Sequence, residues 1–427
     1  MRAGPTTSGG RVTSLTPCAV VVDSRNLVGQ AARLFGIPSN FTLNGLRQAL
    51  AGFGLEPIEV RVGMATRVLQ DKCSNHVTRM CEKNQTQASR LTADGAKVLH
   101  GYLAERGGDV EEKQVDVLCA VAVADLAERI VVGASQARCI VCISEDMDLM
   151  PAYDFAHARG VPVFAAAIDT VHVRPDQKSW ILLDEDALNA ACPSSVRFRG
   201  MKLRSWIARL ALADHQDAGI WTVGHATRDG LYEMSRNNGA RGFWTNPDRK
   251  RGGEKVPLYA TGVIASKRTS KFRALSLSDT PPSSRFAGVE VARVKFWVAQ
   301  NRVKVSMGDG SDVSIWAPTG SLLPGEDVAV LKDADNSINL IGALDRAALP
   351  PTWPTGPGRR TLARVTVGRV SVGWAKARLE ESGVEVAVAL KGVALDTHDR
   401  IAVALVGEHP TWGMPAVHPV SSPLPRS

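Results

Sequence analysis

Three short apolar runs limit most strongly what this chain can fold into: CAVVVD (18–23), RCIVCIS (138–144) and VPVFAAA (161–167). Each has the length of a strand, and none alternates apolar with polar residues. A strand that is apolar on both faces must be covered on both, the condition of a parallel sheet with helices above and below. Segments of helical character lie between such runs. TLNGLRQALAGFG (42–54) carries Leu43, Leu46, Ala49 and Leu50 at helical spacing. VDVLCAVAVADLAERIV (115–131) reads as a largely buried helix, and LMPAYDFAHARG (149–160) as a helix stopped by Gly160. IEVRVGM (58–64) and AKVLHGYL (96–103) add two strands, whereas 65–96 is polar and reads as a long excursion. Alternating strands and helices imply βαβ units with right-handed crossovers, a doubly wound parallel α/β sheet.

At 427 residues the chain is too long for one ordinary domain. Residues 1–16 read as a polar tail and 17–195 as the α/β domain. The basic character is local. Residues 196–284 form a basic linker or RNA-contact segment, and 196–280 alone hold 16 Lys and Arg against 7 Asp and Glu, beside a whole-chain charge of +8. Trp206, Trp221, Phe243 and Trp244 lie among these cations, a mixture suited to phosphate contact and base stacking. From about 286 the texture is all-β: VEVARVKFWV, RVKVSM, DVSIWA, EDVAVLKD and SINLIGAL are strand-length runs separated by turn residues. A weak internal echo of this pattern follows the Pro/Gly-rich ALPPTWPTGPGRR (348–360). It implies two small β-barrels in tandem, 285–347 and 359–420, with an OB-like form as one architecture open to them.

Several classes recede. No apolar run approaches the ~20 residues that span a bilayer, so no membrane partner is expected. The N-terminal stretch has no apolar core of a secretory signal, and seven scattered cysteines suit a reducing compartment, so a cytoplasmic location is expected. Cys139 and Cys142 form a CxxC inside an apolar strand, where residues three apart point to opposite faces. Small buried side chains are therefore the expectation for them, and no metal or redox role. Oligomerisation is left open by the sequence.

The acids at the strand ends carry the chemistry. Asp23 closes the first strand, with Asn26 three residues on. Ser144, Glu145, Asp146 and Asp148 follow the strand ending at Ile143, and Asp116 opens the apolar helix. Parallel α/β sheets bind ligands at the carboxyl ends of their strands. Like charges crowded there need a cation, and Mg²⁺ or Mn²⁺ is the hard ion that carboxylate oxygens prefer. Held ions could activate water and neutralise charge on a phosphodiester.

VVVDSRN, KQVDVLCAVAVADLA and CISEDMDLMPAYDFAHARGVPVFAAA, in that order, resemble an NYN domain of the PIN-like nuclease superfamily over residues 17–170. The resemblance implies metal-dependent RNA cleavage that leaves 5′-phosphate and 3′-hydroxyl ends. It makes Asp23, Asp116, Asp146 and Asp148 the metal-binding catalytic acids. Asn26 and Ser144 then orient the site or contact phosphate, and Lys113 is a phosphate contact. Two positions depart from the family pattern. Ala122 stands where a second helical acid is usual, with Asp125 three residues on as a partial substitute, and Glu145 replaces a glycine, adding a charge beside the site or a solvent-exposed side chain. The expected function is a metal-dependent ribonuclease acting on single-stranded or structured RNA. The alternatives are a catalytically weak RNA-binding adaptor and a nuclease gated by its C-terminal modules.

Overall fold

The computed structural model describes residues 15–35, 39–70, 73–106, 109–168, 179–193, 203–212, 218–226, 230–236, 240–245, 250–265, 273–282, 288–354, 362–390 and 393–425. Most of the expected polar tail lies outside these residues, and Thr16 already belongs to the first strand. The expected boundary near 195 also lies outside them.

The N-terminal unit runs β1 (Thr16–Asp23), α1 (Ser24–Phe35), α2 (Leu43–Ala51), β2 (Leu55–Val68), α3 (Asn75–Ala93), β3 (Lys97–Arg106) and β4 (Asp109–Lys113). It continues with α4 (Val115–Val131), β5 (Cys139–Ile143), a single 3₁₀ turn (Met147–Leu149), α5 (Met150–Ala158), β6 (Val163–Ala167), β7 (Trp180–Leu182) and α6 (Glu185–Ala191). Seven strands form one mixed sheet in the order β4-β3-β2-β1-β5-β6-β7. All neighbours are parallel except β3 and β4.

The apolar runs behave as their composition demands. In β1, Cys18, Val20 and Val22 enter the core on one face, while Ala19 and Val21 enter the core on the other. Cys139 and Cys142 likewise divide between the two cores, and burial pushes both thiols up to about 12. The polar excursion 65–96 is the end of β2 followed by the 19-residue α3, whose cap is Ser74 accepting from the Val77 N–H. The helix 115–131 is not largely buried. Val117 and Val121 are 64% and 60% exposed, because α4 packs only its Cys119–Val123–Leu126 face against the sheet.

The segment read as a basic linker is folded. After α7 (Leu203–Leu212), the strands β8 (Gly219–Ala226), β9 (Leu231–Ser235), β10 (Arg241–Thr245), β11 (Lys255–Ala265) and β12 (Arg273–Ser278) close into a barrel. Trp221, Met234, Trp244 and Leu275 fill it. Trp221 and Trp244 are thus core residues, not a stacking surface.

Next, β13 (Val289–Ala299), β14 (Arg302–Met307), β15 (Asp312–Trp316), β16 (Asp327–Lys332) and β17 (Ile338–Asp345) form a five-stranded antiparallel sheet, order β15-β14-β13-β16-β17, where a small barrel was expected. Last, β18 (Leu362–Val370), β19 (Trp374–Leu379), β20 (Glu385–Ala389), β21 (Arg400–Glu408) and β22 (Pro415–Pro419) form a second closed barrel. This barrel is welded to the α/β unit. The Leu182 N–H donates to the Val420 carbonyl (2.8 Å), the Ser422 N–H donates to the Trp180 carbonyl (2.9 Å), and Leu362, Ala402 and Leu424 enter the core on one face of the large sheet.

Candidate functional site: an acid cluster at the sheet switch point

The large sheet reverses its strand order between β1 and β5, and the crevice at their carboxyl ends is where an open α/β sheet takes ligands. Two glycines bring a third segment to that place. Gly63 of β2 pairs in register with Asp23, and a Cβ there would lie 2.5 Å from Cys119 Sγ and 3.0 Å from Val115. A Cβ on Gly101 of β3 would lie 2.8 Å from both the Lys113 carbonyl and Val115. The start of α4 therefore rests directly on the sheet. Gln114 makes the turn into it with φ +69, a left-handed conformation uncommon outside glycine. Asp116 is thereby delivered to the end of β1, in the first turn of α4 where the helix dipole favours negative charge.

Hydrogen bonds then tie the two acid-bearing loops together. Asp23 Oδ1 accepts from the Asn26 N–H at 3.0 Å, capping α1. Asn26 Oδ1 accepts from Gln30 Nε2 at 2.6 Å and from the Glu145 N–H at 3.0 Å, joining the β1 and β5 loops. The buried Ser144 hydroxyl accepts from the Asp146 N–H at 3.1 Å, and Asp146 Oδ1 accepts from the Asp148 N–H at 2.9 Å. Asp23 and Asp146 thus each use one oxygen as a cap and have a second for other work. Asn26 and Ser144 hydrogen-bond within and between the two loops.

The acids act on one another electrostatically. Asp23 is 7% exposed, and burial pushes its carboxyl from 3.8 up to about 6. Asp116 and Asp146 add to that push, and the N–H groups of Asn26 and Arg25 oppose it. Asp116 is raised by burial and by Asp146 and Asp148. A fifth acid, absent from the sequence expectations, belongs to the same group. Burial lifts Glu112 on β4 to about 7, with Asp23 and Asp116 raising it and Arg25 countering. An open cleft of ≈ 660 Å³ is lined by Asp23, Arg25, Asn26, Glu112, Lys113 and Asp116, among others. The signal for Glu112 was present in EEKQVD, two acids immediately before Lys113 and Asp116.

Two sequence expectations change. Asp125 does not substitute at the Ala122 position. It pairs with Arg61 at 2.6 Å, nine residues along α4 from Asp116, and Ala122 is buried in the sheet-facing core. Glu145 is not solvent-exposed, since its side chain is closed in an ion pair with Arg33. Lys113 lines the cleft and pairs there with Glu111 at 2.7 Å, both about half-exposed.

The donor set fits a hard divalent cation in its chemistry: carboxylate oxygens only, from three distant segments, with one carboxyl buried and pushed up by its neighbours. Among the described residues no three Asp, Glu, His or Cys groups already stand close enough to hold an ion as placed. Cys73, His76 and Cys81, close in sequence, form no metal-holding group among the described residues. Cys81 donates to the Thr66 carbonyl (3.1 Å), while His76 packs edge-on to His225.

The sequence matches no family profile and no curated protein. Among solved structures, it is similar at 13% identity and a TM-score of 0.14 to a Streptococcus pneumoniae multidomain protein with nucleic acid binding domains, over 50% of this chain and 75% of that one. It is similar at 16% and 0.15 to Drosophila Unr CSD456, over 33% of this chain and 62% of that one. It is also similar at 12% and 0.13 to Mycoplasma genitalium RNase R, over 30% of this chain and 20% of that one. Scores this low carry neither fold nor activity across. No described helix is long and apolar enough to cross a membrane.

Proposed function

We propose that the N-terminal unit is an NYN-like nuclease domain that hydrolyses RNA phosphodiester bonds with Mg²⁺ or Mn²⁺ held by Asp23, Asp116, Asp146 and Asp148. One observation carries the reading: acids 93 and 30 residues apart in sequence come to the same end of a parallel sheet, where Asp116 and Asp146 raise the buried Asp23 carboxyl and Asp146 and Asp148 raise that of Asp116. Bound there, the ion would supply an activated water and neutralise charge developing on the phosphate. The chain's own residues do the rest. Asn26 and Ser144 keep the β1 and β5 loops in register. Arg25 and Lys113 on the cleft wall attract the phosphate backbone. Glu112, whose carboxyl burial raises, lines the same cleft as Asp116. The resemblance of residues 17–170 to NYN domains supports the choice of RNA and of 5′-phosphate products.

End-labelled single-stranded and structured RNAs incubated with Mg²⁺ or Mn²⁺ test this. Cleavage by the full chain, abolished by EDTA and by Asp146→Asn, is the expected result. RNA bound but left intact with every metal would instead favour a non-cleaving RNA-binding adaptor. That second reading has its own observation: Ala122 is buried and Asp125 is committed to Arg61, so the usual second helical acid is not replaced.

A further inference from the structure

The five-stranded sheet β13–β17 has one finished face and one half-finished face. Its inner face, with Val294, Trp297, Val305 and Val328, closes over Val406 and Ala416 of the C-terminal barrel. On the outer face, Ala329, Leu331 and Ile341 of β16 and β17 pack under α7 and the basic barrel. The outer half formed by β13, β14 and β15 is left open to solvent.

That bare half is not an ordinary polar surface. A bulge between Val294 and Phe296 breaks the alternation of β13, so Lys295 and Phe296 both point outward, and Phe296 is 46% exposed. Bulges re-aim side chains in this way, and an exposed Phe in mid-strand gains nothing for folding. Across the ladder, Phe296 pairs with Lys304, which pairs with Ser314, and the adjacent row pairs Arg302 with the half-buried Trp316. Two aromatic rings thus alternate with two cations on one face. Arg293 and Lys295 are answered by Asp327 and Asp312 at 2.9 and 2.8 Å. Among the described residues, Arg302 and Lys304 make no ion pair; Lys304 acts on Asp312 only from a distance, and both cations can turn to an external anion. The other half of this outer face, β16 and β17, packs against the basic barrel, whose residues 219–278 hold eleven Lys and Arg against four Asp and Glu.

We propose that this bare face, centred on Phe296 and flanked by Arg302, Lys304 and Trp316, is a stacking surface for single-stranded nucleic acid. Bases lie on the rings and the two cations take the phosphates. The proposal deepens the nuclease reading by naming the strand form of its substrate, but its test does not depend on the acid cluster. The full chain carrying Asp146→Asn is titrated in EDTA with fluorescein-labelled oligouridylate of about twelve nucleotides, a length one such fold can cover. Binding is read by anisotropy. Phe296→Ala should weaken binding roughly 5- to 150-fold, the range for loss of one stacked base. Phe296→Tyr should restore it to within about twofold, since a phenol ring stacks equally well. The pair Arg302→Ala and Lys304→Ala should make the slope of log affinity against log salt shallower by about 1.4. The proposal is overturned if the parent does not bind, if Phe296→Ala binds as the parent does, or if a duplex of equal length shows the same dependence on Phe296. Cleavage could still fail in the parent chain while this binding holds, so the two readings fall separately.

Discussion

Asp23→Asn should stabilise the metal-free protein at neutral pH and do so far less in acid. The folded carboxyl titrates at about 6 against an ordinary 3.8, chiefly because it is buried. A raised carboxyl pKa means that the folded state binds protons more tightly. Stability is therefore lost as pH rises from 3.8 through 6 and stays lost above. The difference of about two pKa units corresponds to roughly 3 kcal/mol at pH 7.5, shrinking to about 0.5 kcal/mol at pH 4. Asparagine carries no charge and can still accept from the Asn26 N–H through its side-chain oxygen. Amide hydrogen exchange of β1 and β5 peptides, followed by mass spectrometry in EDTA, measures the gain. Comparing parent and variant at matched pH cancels the chemical exchange rate. At pH 7.5 the variant's slowest amides should exchange up to about 150-fold more slowly, and at pH 4 only about two- to threefold. Faster exchange in the variant at pH 7.5, or a gain of the same size at both pH values, would refute the reasoning. Either result would show that Asp23 is not an electrostatically strained group waiting for a positive partner.

Further predictions rest on separate features. Glu145→Gln should loosen the loop that carries Asp146 and Asp148, because the Arg33 pair would lose its charge. Higher exchange of residues 144–149 with unchanged exchange in β6 is the expected pattern. Asp125→Ala should leave metal binding and cleavage within about twofold of the parent, since Asp125 is committed to the buried Arg61, which keeps Glu59 at 3.0 Å as a second partner. Gly342→Ala should destabilise by about 1–3 kcal/mol in urea unfolding, because a Cβ there would stand 2.3 Å from the Arg204 carbonyl oxygen and force α7 off the sheet. Of the seven free cysteines, six are buried, so a thiol reagent should modify Cys73 quickly and the others only on unfolding.

The parts legible in the sequence were those with a local cause. CAVVVD, RCIVCIS and VPVFAAA could be read as doubly covered strands because their apolar character needs burial on two sides, and β1, β5 and β6 are buried along almost their whole length. Their terminal acids were legible for the same reason, since a charge at the end of a buried strand marks where the chain reaches solvent. The basic barrel was hidden because β9 and β10 have only five residues each, and two of its pairings, β10 with β12 and β8 with β11, skip over intervening strands. Its core is presented in the sequence only as scattered Trp, Met and Leu. Glu112 was hidden because β4 is a hairpin edge whose alternation looks like an ordinary polar turn. The pairing of Glu145 with Arg33 spans 112 residues, and Asp125 with Arg61 joins a helix to a strand. Neither leaves a mark in spacing, yet together they decide which charges are committed elsewhere and which remain for a ligand.

The central claim is that the acids at the β1–β5 switch point bind a divalent cation, and Mn²⁺ titration followed by electron paramagnetic resonance tests it most directly. Loss of the free Mn²⁺ signal should show at least one ion bound per full-length chain. That ion should be displaced by Mg²⁺ and lost when Asp23→Asn and Asp146→Asn are combined, while Asp125→Ala binds as the parent does. Mn²⁺ that stays free in the presence of the parent chain, or that binds equally well to the double variant, would contradict the account.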